Sequence, residues 1–63
     1  MSAYEFRFLN ERGGMLLVYY ANCIGDEDAR KQLAIADDVD YSRFEIWQGD
    51  REVEAGRAKP YLM

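Results

Sequence analysis

Carboxylates are the most plentiful reactive groups in this chain, which carries 12 Asp and Glu residues. A carboxylate pair performs acid–base catalysis when burial or a like-charged neighbour raises the pKa of one member. The acids here stand in hydrophilic runs, such as Asp26-Glu27-Asp28 and Asp37-Asp38-Val39-Asp40, where nothing calls for burial. There is no histidine, the commonest general base near neutral pH. A Ser-His-Asp or Cys-His arrangement therefore cannot be built within the chain. Ser2 and Ser42 have no base beside them in sequence. Cys23, the sole cysteine, lies just before a predicted helix start, where the dipole lowers a thiol pKa. Asp26, Glu27 and Asp28 oppose that effect, so a small buried residue at a strand–helix junction is expected. No catalytic residue is expected, and the chain is not expected to be an enzyme.

Metal and cofactor chemistry fare no better. Asp37, Asp38 and Asp40 supply hard oxygen ligands, but without the spacing or distal Glu of an EF-hand loop. They read as a solvated helix end rather than a cation site. Gly13-Gly14 lacks the spacing of a dinucleotide fingerprint or a P-loop. No cofactor and no metal are expected. The net charge is −4, and no Lys/Arg cluster is present to hold phosphates, so nucleic acid is not an expected partner. No apolar run approaches the roughly 18 residues of a spanning helix, so no membrane segment is expected. Residues 1–5 lack the pattern of a signal peptide. With one cysteine there is no internal disulfide framework, and a cytoplasmic location is expected.

What remains is to place these side chains on elements. Tyr4-Glu5-Phe6-Arg7-Phe8-Leu9 alternates with period two and predicts a half-buried strand with Tyr4, Phe6 and Phe8 inward. Asn10-Glu11-Arg12-Gly13-Gly14 supplies a turn. Residues 15–21 predict a second strand that is apolar on both faces: Leu17, Tyr19 and Ala21 on one, Leu16, Val18 and Tyr20 on the other. Gly25 is an acceptable N-cap for a helix from about residue 26 to 36 or 38, with three acids in its first turn. Ile24 is placed to staple onto Ala29. Ala29, Leu33, Ile35, Ala36 and Val39 form its apolar face.

Residues 43–48 and 51–55 predict a hairpin around a two-residue primed turn at Gly49-Asp50. That register sets Trp47 against Glu52, Ile46 against Val53, Glu45 against Glu54 and Phe44 against Ala55. Phe44, Ile46, Val53 and Ala55 then face inward. Glu45 and Glu54 would repel across the outer face unless Arg7 or Arg43 relieved them. The order is ββαββ. The predicted fold is a two-layer α+β domain over residues 1–56, an antiparallel sheet in order 2-1-3-4 with one helix on one face. Residues 57–63 read as a tail, its end Tyr61-Leu62-Met63 apolar.

The hairpin Glu45-Ile46-Trp47-Gln48-Gly49-Asp50-Arg51-Glu52-Val53 resembles a Glu-apolar-Trp-x-Gly-x-Arg-x-Val signature of short, uncharacterised bacterial proteins. The aromatic first strand and the acidic helix start at Gly25-Asp26-Glu27-Asp28-Ala29 extend the resemblance over residues 4–54. It implies the ββαββ fold and, since that family has no established activity, no function.

The functional expectation comes from surface balance. One helix covers one side of the sheet, which leaves Leu16, Val18, Tyr20 and Trp47 on the other, residue types favoured at contact hot spots. The chain is therefore expected to be a small cytoplasmic protein-interaction module that presents the outer sheet face or a sheet edge to a protein partner, self-associating as a homodimer through the outer sheet face. The alternative is an acidic inhibitor that mimics a charged ligand and binds a basic surface of a nuclease or defence effector. A ligand-binding module is a third class, but so small a domain seldom holds a pocket of the roughly 300 Å³ that ligands need.

Overall fold

The computed structural model describes residues 1–33 and 40–57. Four strands and a helix follow one another: β1 (Ser2–Leu9), β2 (Met15–Cys23), α1 (Asp26–Leu33), β3 (Arg43–Gln48) and β4 (Arg51–Arg57). The strands form one antiparallel sheet in the order β2-β1-β3-β4. The ββαββ architecture, an α+β fold with one helix on the inner face, is thus as the alternation predicts. It follows from chain economy: β1 must take β2 on one side, and the crossover through α1 delivers β3 to its other side.

The core lies between sheet and helix. Tyr4, Phe6 and Phe8 of β1, Ile46 and Phe44 of β3, Cys23 and Ala29 are buried, with Tyr19, Ala21, Leu33, Tyr41 and Val53 packed against them. Aromatic rings carry much of it. Phe6 stacks on Tyr19 at 4.9 Å, and Phe8 meets Tyr41 at 4.8 Å. Tyr41 belongs to the loop before β3, where no periodic pattern marks it as a core residue.

Three local expectations need correction. Ile24 does not staple onto Ala29: its side chain is 80 % exposed, and the junction is closed by a hydrogen bond from its N–H to Asp28 Oδ2 at 3.0 Å. The hairpin turn itself is primed as expected, of the II′ form, with a positive φ at Gly49 (63°) and not at Asp50. A β-bulge then inserts Val53, so that Ile46 pairs with Glu54, Glu45 with Ala55 and Phe44 with Gly56. The bulge moves Ala55 from the inner to the outer face and brings Glu54 to the helix side, where it forms an ion pair with Arg30. The predicted Glu45–Glu54 repulsion does not arise, because the two no longer face each other.

β4 also runs on through Gly56 to Arg57 instead of ending at Ala55. A Cβ at Gly56 would lie 2.9 Å from the Phe44 ring, so this position takes glycine to leave room for the ring. The expected extension of the helix through Ile35, Ala36 and Val39, the acids Asp37 and Asp38, and the tail Tyr61-Leu62-Met63 lie outside the described residues.

Candidate functional site

The groups with intrinsic reactivity are placed where reactivity is low. Cys23 is fully buried, and its thiol is pushed up by burial first and by the Asp28 carboxylate second. It is the inert junction residue that its neighbours predict. Among the described residues no group of three or more Cys, Asp or Glu is placed to hold a metal ion. Asp40 is exposed. A shallow depression lined by Ile24, Gly25, Lys31 and the acids of the first helical turn lies open to solvent. No described helix is long and apolar enough to cross a membrane.

Charge is used structurally at the helix start. Asp26 takes a bidentate pair of hydrogen bonds from Arg51 of β4, at 2.9 and 3.2 Å, and one from the Tyr4 hydroxyl at 2.9 Å. Arg51 first, then Tyr4, holds the Asp26 carboxyl below its ordinary range. Burial, then the Asp26 carboxylate, pushes the Tyr4 hydroxyl up. Sequence periodicity could not reveal this triad, because its members lie 22 and 25 positions apart.

The outer face is built in rows across the sheet. One row reads Tyr20, Glu5, Trp47, Glu52; the next reads Val18, Arg7, Glu45, Ala55. Arg7 is its hub. It bonds Glu5, reaches Glu45 at 3.5 Å and lies 4.9 Å from the centre of the Trp47 ring, a cation–π contact. Trp47 Nε1–H donates to Glu45 Oε1 at 2.9 Å. The four expected contact residues are therefore not one apolar patch. β1 sets Glu5 and Arg7 between Tyr20 and Val18 on one side and Trp47 on the other. Leu16 stands at the bulge where the β1–β2 register shifts.

Leu16, Val18 and Tyr20 share something else: all three belong to β2, which ends the sheet. Its nine residues, MLLVYYANC, carry no charge. Met15, Leu16, Leu17 and Tyr20 are 56, 49, 42 and 68 % exposed. The opposite edge, β4, has four charged residues in seven (Arg51, Glu52, Glu54 and Arg57) and a bulge. Charges and bulges are how proteins blunt a sheet edge against further pairing. β4 has both, and β2 has neither along Leu17–Cys23, where its ladder with β1 is regular.

The direction of the β2 backbone follows from two hydrogen bonds at the end of β1. The Leu9 carbonyl accepts from Ser42 N–H on the β3 side, and Asn10 N–H donates to the Gly14 carbonyl on the β2 side. Alternation then turns the peptide groups of Phe8, Phe6 and Tyr4 toward β2, and those of their partners Leu17, Tyr19 and Ala21 toward β1. The N–H and C=O groups of Val18, Tyr20 and Asn22 point away from the sheet, where no described strand pairs with them. Comparison of the chain with family models, with curated proteins and with solved structures finds no match.

Proposed function

We propose that the chain is a small protein-interaction module with no reaction of its own, and that it captures an extended partner segment along the open edge of β2. The observation that carries this is the contrast between the two edges: β4 is charged and bulged, β2 is long, uncharged and apolar. Strand addition supplies main-chain hydrogen bonds for affinity and alternate side-chain contacts for specificity. A buried, unreactive thiol suits a reducing cytoplasmic setting.

The edge is favoured over the outer face because of Arg7. A partner stacked on that face would desolvate Glu5, Arg7 and Glu45, a cost that their mutual attraction seldom recovers. An acidic mimic has less to offer a basic partner, since Asp26, Glu45 and Glu54 are engaged by arginines of the same chain.

The test is titration of the chain, at a dilution where it sediments as a monomer, with a synthetic peptide carrying residues 15–23 between uncharged solubilising residues, followed by amide chemical shifts and hydrogen exchange. Binding is expected to protect Val18, Tyr20 and Asn22 and to change little with salt. A peptide that leaves those amides unaffected, or binding that collapses as salt rises, would remove the edge as the site.

A further inference from the structure

We infer that the segment seated on β2 is β2 of a second copy, paired antiparallel about a two-fold axis at Tyr20; the pairing presupposes the strand-capturing edge proposed above. Outward-turned peptide groups restrict the occupant to another extended strand. The choice of a second copy rests on charge. The chain carries a net −4, so two copies repel over most of their surfaces. The nine-residue edge of β2 has no charge at all, and self-pairing there sets no like charges opposite each other.

The axis follows from the ladder. The regular part of β2 runs from Leu17 to Cys23, below which the Leu16 bulge interrupts it, and Tyr20 is its midpoint. An axis there pairs Tyr20 with its own copy, Val18 with Asn22, Tyr19 with Ala21 and Leu17 with Cys23. Residues with outward peptide groups, Val18, Tyr20 and Asn22, then meet their own kind, as hydrogen-bonded antiparallel pairs must. On the outer face two Tyr20 rings come side by side, which covers the most exposed aromatic side chain among the described residues. The product is an eight-stranded sheet, β4-β3-β1-β2 continuing into its two-fold copy, with both helices on one side. Its outer edges are the blunted β4 strands, so the assembly closes at two chains rather than growing into a fibre.

Sedimentation of the full chain from low to high micromolar concentration tests this. A dimer is expected for the parent chain, and a monomer of unchanged circular dichroism for Tyr20→Pro, which deletes an outward N–H, and for Tyr20→Lys, which puts a charge on the axis. In a Cys23→Ala background, Tyr20→Cys is expected to cross-link two chains under mild oxidation. Antiparallel partners hold their Cα atoms about 5 Å apart, within disulfide reach. Val18→Cys in the same background is expected not to cross-link, because the two copies of position 18 lie four residues apart along the ladder. A parent chain that stays monomeric yet binds the 15–23 peptide on β2 overturns self-pairing and leaves the edge as a site. A monomer that ignores the peptide overturns both. A monomer whose Val18, Tyr20 and Asn22 amides are already protected assigns the edge to the chain's own residues and overturns self-pairing. A dimer lost in Trp47→Asp but kept in Tyr20→Pro is a face-to-face dimer and overturns it as well.

Discussion

Asp26 shows how a single acid can be structural without being buried. Its two oxygens tie the first turn of α1 to Arg51 on one edge of the sheet and to Tyr4 in the core. Protonating it in the folded chain gives up part of both contacts, so the unfolded chain takes up the proton more readily. Its stabilisation is therefore complete above the ordinary aspartate range and fades as the pH falls through that range toward the lowered folded value. Asp26→Asn is expected to melt at a lower temperature than the parent at pH 7, with the gap narrowing as the pH falls below the ordinary aspartate range. Glu5, held low chiefly by its hydrogen bond from Arg7, keeps its own acid sensitivity in both proteins. Equal melting temperatures at neutral pH would show that Arg51 and Tyr4 gain nothing from the carboxylate.

Gly56 makes the opposite case, a residue whose absence of a side chain is its contribution. Phe44 is buried, and its ring edge occupies the space a Cβ would need, at 2.9 Å. Gly56→Ala forces the ring or the strand to move, at an overpacking cost of about 1–3 kcal/mol. Urea unfolding is expected to show a lower midpoint at unchanged slope; an unshifted midpoint would mean that the edge of the sheet yields freely.

At the level of elements, pattern and outcome part company in instructive places. β1 was legible because Tyr4, Phe6 and Phe8 alternate with Glu5 and Arg7, and all three aromatics are buried. The hairpin between β3 and β4 was legible in its turn but not in its register. Setting Ile46 against Val53 satisfies the two-residue period, so the strand alone gives no reason for a bulge. The reasons are tertiary: Arg30 on the helix draws Glu54, and Phe44 needs a glycine opposite. The contact residues on β2 could be named, but period two assigns faces and is silent about edges. The predicted order 2-1-3-4 already sets β2 at an edge, but which of its peptide groups turn outward is visible only in the hydrogen bonds at the end of β1. Gly49 separates conformational cost from crowding, since a Cβ there meets nothing within 4 Å while φ is 63°. Gly49→Val is expected to cost about 1–3 kcal/mol, because the first central position of a II′ turn is sparsely open to L-residues and least to a β-branched one. Gly49→Asn is expected to cost less, since asparagine is among the residues that primed turns accept after glycine. Thermal melts of the two variants side by side check the order, and equal losses would point to a contact in place of a dihedral.

For the whole molecule the deciding quantity is how much core 63 residues can assemble. Domains of this length are stable by about 3–9 kcal/mol, while truncating one buried phenylalanine, such as Phe6, costs about 3–5 kcal/mol. The sheet cannot add much core by itself: the helix covers one face, the Arg7 network occupies the other, and β2 leaves Leu16, Leu17 and Tyr20 exposed. Pairing two β2 strands adds hydrogen bonds and apolar cover to the folded state alone, so folding and association become linked. A tenfold rise in protein concentration is worth about 1.4 kcal/mol per dimer, or about 0.7 kcal/mol per chain. In a domain of this size that raises the melting temperature by about 3–6 °C per tenfold step, since 1 kcal/mol corresponds to about 4–8 °C. Scanning calorimetry over two decades of concentration is expected to show this climb in the parent chain and in Trp47→Asp, whose site lies off the edge. In Tyr20→Pro it is expected to vanish. A melting temperature independent of concentration in the parent would mean that the described core holds the fold unaided, and that the bare edge of β2 adds nothing to it.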